Sequence, residues 1–517
     1  MEVRGQWSSR MGFILAASGS AIGLGNIVFF SANAYKFGAG AFYVPYLVAL
    51  FVVGVPVLLL ELGLGSWSGQ AFPQALHKIG GRPAEFFGWF GLVSATFITA
   101  YYVTILAWVL GMWVGAWGDA LWSPSVALPA FGDGGLPAGA VPNPVASFFA
   151  MLSSWRNVLF VAVIWAFNIA IVWRGTKSIE PAVKLFVPLM WLFMLVLIVR
   201  GVTLPGGMQG VALLFTPDFS LMGRVEVWHG AFSQIFFTLS LGFGIMTAYA
   251  SYLPKRSDQS ASGLMIATMN CAFEMVAGFA IFSLLFAFSV VPKASTLSMM
   301  FFVVPAGIAA FPAGVKLFGV LFFTLLLFAG LSSSVSLVEA MALAVCDKLP
   351  HVRRSTVVLG VSLFGFVGST LFAIPKVIDP GLDGNGTLGL SLLDLVDHWA
   401  FSYGLLLTGL AETIIVGWVL GPATLREWLN AYGHLRVGKW FDVLVKYVIP
   451  AILLFLLLYS ATNEVRDGLY GHDMAGAGAP FAIGALLVWL LGSLGVAGVL
   501  TMAGAPEGAA HRVEVAS

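Results

Sequence analysis

The sequence predicts an all-α polytopic membrane protein of about twelve transmembrane helices, and three observations predict it. Of 517 residues, 59% are hydrophobic and 9% charged, whereas an ordinary soluble domain carries about 25% charged residues. The apolar residues fall in separate stretches of about 20 or more, the length a helix needs to cross a hydrocarbon core about 30 Å thick. Basic residues are also uneven between alternate loops. With the N-terminus in the cytoplasm, the inner loops receive 17 of the 25 Lys and Arg residues, the positive-inside bias. Both termini are therefore expected inside.

The spans follow in order. Residues 11–36 come after the polar MEVRGQWSSR, and no cleavage site followed by a soluble domain suggests a signal peptide; this is a retained first span. Spans at 41–68, 87–117, 157–173 and 181–202 are read as near-continuous apolar runs and complete a first group of five. A second group is expected at 227–252, 261–291, 314–347, 355–374 and 391–419, with two further helices at 441–461 and 479–503. Gly/Pro-rich connections around 119–155, 203–226, 293–313 and 375–390 then lie outside. The chain reads as one transmembrane domain, 1–517. Residues 11–203 and 227–419 form two repeats, and 441–503 is a C-terminal addition. Because five is odd, the second repeat would be inverted relative to the first. Cys271 and Cys346 fall inside or at the end of predicted helices, so no disulfide framework is expected. The seven histidines lack metal-ligand spacing, and no basic stripe suggests nucleic acid.

Spans 1 and 6 are interrupted at matching places, by GSAIGLGN at 19–26 and TLSLGFG at 238–244. A broken helix in lipid leaves N–H and C=O groups unpaired, at several kcal/mol each, unless something satisfies them. Glycines permit the break. The freed carbonyls can face a hard cation, the N–H groups of Leu24 and Gly25 can bind an anion, and Asn26 adds a neutral oxygen. In the sixth span the hydroxyls of Thr238 and Ser240 stand beside Gly242 and Gly244. Taken singly, each motif could serve close helix packing; paired, they mark a midplane site of a secondary transporter. Oxygen donors with almost no charge suit sodium. Ser332, Ser333 and Ser334 form a third cluster, and Asn270 is a lone amide inside the seventh span.

GSAIGLGN, FFTLSLGFG at 236–244 and FAGLSSS at 328–334 resemble the neurotransmitter:sodium symporter family, most closely its bacterial leucine-transporter-like branch. MEVRGQW at the start, GAFYVPY at 40–46, AYYV at 100–103, LFTPDF at 214–219 and YASY at 249–252 extend the likeness over nearly the whole chain. The resemblance implies the leucine-transporter fold, a 5+5 inverted repeat, and sodium-coupled uptake by alternating access. It implies two sodium sites and no organic cofactor. One site would use the carbonyls of Ala21 and Thr238, the Thr238 hydroxyl, Asn26, Asn270 and the substrate carboxylate. The other would use the carbonyls of Gly19, Ile22 and Ala329 with the hydroxyls of Ser332 and Ser333.

By the same resemblance, the substrate carboxylate would meet the N–H groups of Leu24 and Gly25 and the Tyr102 hydroxyl. Its ammonium would meet the carbonyls of Ala21, Phe237 and Thr238 and the Ser240 hydroxyl. Monoamine-type members carry an aspartate where this chain has Gly23, so here the substrate must bring its own carboxylate. That argues for an amino acid. Its side chain would face Leu24, Ile98, Tyr102, Phe237, Phe243, Ser333 and Leu337, an uncharged pocket fit for an aliphatic or aromatic group. Such pockets separate one methylene by only about 1 to 3 kcal/mol, so the preferred amino acid stays open.

Carboxylates inside spans are costly and mark function. Glu274 lies one turn beyond Asn270; chloride-dependent members have a neutral residue there, so chloride independence is expected, with proton counter-transport as an option. Glu61 and Glu412 are expected to tie down free N–H groups at the broken helices, whereas Glu339 has no assigned partner. The resemblance pairs Arg4 with Asp347 to close the cytoplasmic side, assisted by Ser251 and Tyr252. At the outer gate Phe29 stands where the family has an arginine, and Ser31 where it has a proline, while Asp397 keeps the acid. Lys36 is about 10 Å further along the helix. A hydrophobic plug of Phe29, Phe237 and Tyr102 is the expected substitute, with Asp397 on water or on a group beside the substrate. The expected setting is a bacterial plasma membrane, in contact with lipid, as monomer or homodimer. Two alternatives are a proton-coupled amino-acid transporter of the same inverted-repeat fold and a non-transporting amino-acid sensor. No Ser/His/Asp arrangement, phosphate loop or metal cluster supports an enzyme.

Overall fold

The structure is a computed structural model that describes residues 5–123, 143–288, 296–375, 377–379, 386–468 and 479–504. Among these it is helical almost throughout; the exception is a short antiparallel pairing of Val377–Asp379 with Gly386–Thr387. Among the described residues nine helices are long and apolar enough to cross a membrane: Ala39–Ser68, Phe72–Ala116, Thr176–Thr203, Gln259–Ala287, Val315–Lys348, Arg354–Phe372, Gly389–Leu420, Trp440–Asp467 and Ile483–Met502. Two bent pairs add a span each. Arg10–Ala21 meets Leu24–Lys36 at 50°, and Pro144–Leu152 meets Arg156–Val172 at 87°. With Val225–Thr238 and Ile245–Ala250, the two short halves of span 6, these give the expected twelve.

The expected boundaries shift in several places. Span 3 begins at Phe72, not 87, and Gly80 and Gly81 break it, Gly81 at φ +65°. Its front arm, FPQALHKI, is too short to cross a membrane, so a search for long apolar runs passes over it. Helices Gly207–Leu214 and Met299–Ala309 likewise occupy stretches expected to be connections. The amphipathic Pro422–Tyr432 lies between spans 10 and 11, its Trp428 indole donating to Ser66 Oγ at 3.0 Å.

Spans differ in how much they face their neighbours. In the most apolar window of span 2, 78% of residues are buried, and in span 12 only 22%. Span 2 therefore belongs to the centre, while span 12 shows most of its surface to the surrounding lipid. Spans 1, 3, 6, 7 and 8 supply the central polar groups described next.

Candidate functional site

Both interruptions are real, and backbone dihedrals explain them. Ile22 (ψ +90°) and Gly23 (ψ −167°) are extended between the two halves of span 1. In span 6, Ser240, Gly242 and Gly244 all take positive φ, at 55°, 76° and 70°. Glycine adopts this region freely, but for serine it is strained. The Ser240 hydroxyl faces the Ser20 carbonyl at 3.4 Å, and the freed Gly242 N–H donates to Glu61 Oε1 at 2.8 Å. Glu61 thus has its expected role. Glu412 does not: although buried, neither of its oxygens meets a hydrogen-bond partner among the described residues.

The breaks line a cavity that takes in Ala21, Leu24, Gly25, Ile98, Tyr102, Phe237, Ser240, Phe243, Ser333 and Leu337. Every expected substrate residue except Thr238 is therefore on its wall. Ser20 and Ile245, which the sequence reading omitted, line it too. The Leu24 N–H points at the Tyr102 hydroxyl, 3.3 Å away, and Ser333 Oγ donates to the Ser20 carbonyl at 2.9 Å. Gly23 sits between these groups. A Cβ there would lie 2.9 Å from Ser333 Oγ and 3.1 Å from the Tyr102 hydroxyl, so the space beside the helix start exists only because position 23 has no side chain. Gly25 is equally confined, its Cβ position being 2.8 Å from the Phe237 ring.

Beside this cavity three polar side chains from spans 1, 6 and 7 close on one another. Asn26 Nδ2 donates to Thr238 Oγ1 at 2.8 Å and to Asn270 Oδ1 at 2.7 Å, while Asn26 Oδ1 accepts the Gly23 N–H at 2.8 Å. Turning the Asn270 amide over sets its nitrogen 3.2 Å from the Ala21 carbonyl and 3.3 Å from the Thr238 carbonyl. The five protein groups expected at the first cation site therefore lie close together, but the Asn26 nitrogen, not its oxygen, faces Thr238 and Asn270, because Oδ1 is taken by the Gly23 N–H. At the second site, Ser332 Oγ donates to the Ala329 carbonyl at 2.9 Å, and the space beside Gly19 is 3.9 Å from that hydroxyl. Ile22 adds the turn that ends the first half-helix.

Glu274 is fully buried and adjoins the first cluster. Its Oε1 accepts from Thr238 Oγ1 at 2.6 Å and from Gln234 Nε2 at 2.9 Å, and its Oε2 accepts from the Tyr46 hydroxyl. Tyr46 and Gln234 were not singled out from the sequence, although Gln234 stands one helical turn before Thr238.

The gates differ from expectation. At the expected outer gate, Phe29 and Phe237 meet edge to face at 6.3 Å, and Phe401 meets Phe237 edge to face at 4.9 Å. Phe401 from span 10 thus joins this lid, while Tyr102 turns its hydroxyl to the Leu24 N–H. Asp397 accepts a hydrogen bond from the Tyr101 hydroxyl, so its partner is protein. Of the pair expected to close the cytoplasmic side, Arg4 lies outside the described residues, and Asp347 accepts the Ala71 N–H at 2.7 Å. Glu339 does have partners: it forms an ion pair with Arg354 and accepts from the Tyr252 hydroxyl at 2.5 Å. The Ser251 hydroxyl donates to the Ala248 carbonyl at 2.6 Å. Trp7 is buried below the site, its indole donating to the Tyr249 carbonyl at 2.9 Å.

Residues 4–122 and 149–496 match the sodium:neurotransmitter symporter family. A sodium-dependent transporter of Methanocaldococcus jannaschii is 35% identical over 482 residues, covering 91% of this chain and 93% of its own length. The human sodium- and chloride-dependent GABA transporter 2 is 30% identical over 499 residues, 88% of this chain and 80% of its own. The crystal structure of MhsT in complex with L-phenylalanine superposes with a TM-score of 0.74 at 29% identity, covering 88% of this chain and 99% of that one.

Proposed function

From the premise that this chain belongs to the sodium:neurotransmitter symporter family, whose members are sodium-coupled transporters, we propose that it carries a hydrophobic L-amino acid by alternating access, without chloride. The observation that carries the reading is the space left by Gly23 between the Tyr102 and Ser333 hydroxyls, at the start of a half-helix. A carboxylate there receives the N–H groups of Leu24 and Gly25 and the Tyr102 hydroxyl. The rest of the wall, with Ile98, Phe237, Phe243, Ile245 and Leu337, offers no charge to a cargo side chain. The solved relative that holds L-phenylalanine supports the same class of cargo.

Sodium is a co-substrate in this reading. Asn26, Thr238, Asn270 and the Ala21 carbonyl hold one ion against the substrate carboxylate; Gly19, Ile22, Ala329, Ser332 and Ser333 hold a second between spans 1 and 8. An ion shared with the substrate makes binding reciprocal, each ligand raising the other's affinity by the same factor. Glu274 supplies the fixed negative charge that chloride supplies elsewhere in the family. It is held by Tyr46, Gln234 and Thr238, three donors suited to an anion. Phe29, Phe237 and Phe401 close the outer side over the cargo, and release inward requires parting of the Trp7, Tyr252, Glu339 and Arg354 contacts. The membrane is the plasma membrane, with both termini inside.

The test is equilibrium binding of radiolabelled leucine and phenylalanine to purified protein in sodium, potassium, sodium chloride and sodium gluconate buffers, followed by uptake into proteoliposomes. Sodium-dependent, chloride-independent binding displaced by hydrophobic amino acids is the expected result. Binding of equal strength in potassium would overturn the ion assignment, and accumulation driven by a proton gradient alone would favour the proton-coupled alternative.

A further inference from the structure

At the end of the bundle that the positive-inside asymmetry assigns to the cytoplasm, the turn between spans 4 and 5 and the start of span 9 enclose a cavity of about 640 Å³. Four cations line it, Arg174, Lys177, Arg353 and Arg354, and among the described residues no carboxylate does. Arg354 is committed on one side, to Glu339 and, through Nη2, to the Val172 carbonyl at 2.9 Å. Its buried Nε–H has no hydrogen-bond partner among the described residues. The side chains of Arg174, Lys177 and Arg353 make no ion pair among the described residues, and Arg174, Lys177 and Arg353 are exposed.

Backbone geometry adds to the same charge. Thr176 opens a 28-residue helix and Arg354 a 19-residue helix, and both starts lie on the cavity wall with no side-chain cap. Helix N-termini direct unpaired N–H groups and the positive end of the dipole outward. An anion that enters therefore meets several cations and two helix starts, and the neighbouring acid, Glu339, is already held behind the wall by Arg354 and Tyr252.

The cavity also adjoins the lipid-facing surface. Trp173 on its wall is 40% exposed, and Phe167 on span 4 and Leu359 and Leu363 on span 9 are exposed as well. A tryptophan at the end of an apolar face is the usual mark of the headgroup level, and basic pockets at this level between helices suit lipid phosphates.

We propose that this cavity binds the phosphate group of an anionic lipid from the inner leaflet. Because Arg174 stands in the turn before span 5, Lys177 in its first turn, and Arg353 and Arg354 at the start of span 9, the lipid ties the two repeats together at their inner end. It holds closed the side that Arg354 and Glu339 already close, so occupancy favours the inner-closed form.

The experiment is titration of delipidated, detergent-purified protein with fluorescent phosphatidylglycerol and, separately, fluorescent phosphatidylcholine. The chain and an Arg174→Gln/Lys177→Gln/Arg353→Gln variant are compared, with inorganic phosphate as competitor. Each basic group near an anionic headgroup contributes roughly fivefold, so the triple variant should bind phosphatidylglycerol at least about tenfold more weakly and phosphatidylcholine unchanged. None of the three side chains makes an ion pair here, so far-ultraviolet circular dichroism should stay unaltered; Arg353→Gln alone provides a milder variant if it does not. Equal phosphatidylglycerol affinity in the chain and the folded variants would overturn the proposal. Tight inorganic phosphate binding with no preference between the two lipids would overturn the lipid source and mark a soluble-anion site.

Discussion

Replacing Glu274 by glutamine removes one buried negative charge while keeping a side chain of the same size. The carboxylate's Oε1 is 2.6 Å from Thr238 Oγ1, so a cation at ordinary oxygen-ligand distance from that hydroxyl lies about 5 Å from the charge. At an effective dielectric of about 20 the attraction is about 3 kcal/mol, roughly two orders of magnitude in affinity. Glu274→Gln should therefore raise the sodium concentration needed for half-maximal substrate binding by about a hundredfold in gluconate buffer. The donors that now hold the carboxylate, Tyr46, Gln234 and Thr238, can hold a chloride ion instead. A Glu274→Ser variant, which leaves room for that ion, should regain much of the loss in chloride buffer. The assay is radioligand binding against a sodium titration in the two anions. If Glu274→Gln keeps the original sodium affinity in gluconate, or if the unaltered chain itself requires chloride, the charge-replacement argument fails.

Other outcomes follow from the same geometry. Gly23→Asp should abolish amino-acid binding, because its Cβ alone comes within 2.9 Å of Ser333 Oγ and its carboxylate takes the anion position; equilibrium binding checks it, and retained leucine affinity would refute the assigned position. Phe401→Ala should speed dissociation of bound substrate in a washout experiment by about two- to tenfold, from the loss of an edge-to-face contact worth about 0.5–1.5 kcal/mol. Arg354→Met leaves Glu339 buried and unpaired, a cost of about 3 kcal/mol or more. It should open the inner side and accelerate thiol labelling of the half-buried Cys346, while the buried Cys271 stays protected.

Much of the site was legible because a broken helix in lipid must announce itself locally. Glycines and hydroxyls at 19–26 and 238–244 are visible without any fold, and the chain bends at both. Oxygen ligands near those breaks could be proposed for the same reason. What stayed hidden depends on approach between distant segments. Phe401 reaches Phe237 from span 10, and a phenylalanine in an apolar helix looks like any other lipid-facing residue. Arg354 reads as one more inner-loop cation until Glu339 is found beside it. Ser20 points its carbonyl, not its side chain, at Ser240 and Ser333, and backbone groups carry no residue signature. Glu412 shows the converse, a carboxyl whose expected N–H partners are not there.

The two proposed gates rest on different physics, and this shapes how ions would drive the cycle. The proposed outer lid is a set of aromatic contacts, Phe29 on Phe237 and Phe237 on Phe401, with Asp397 held aside by Tyr101. Such contacts have no long-range field, so salt screening leaves them almost untouched. The proposed inner closure joins a buried ion pair, Glu339 with Arg354, to the Trp7 and Tyr252 hydrogen bonds. Phe237 precedes Thr238, whose hydroxyl belongs to the first cation cluster, and Gly25 packs under the Phe237 ring. An ion that fixes Thr238 therefore also fixes the central member of the outer lid. In the proposed binding mode the substrate meets Gly25 and Phe237 and completes the same contact from the other side. Closure of the outer lid thus depends on both ligands through one residue pair, although no charge on the lid senses either of them.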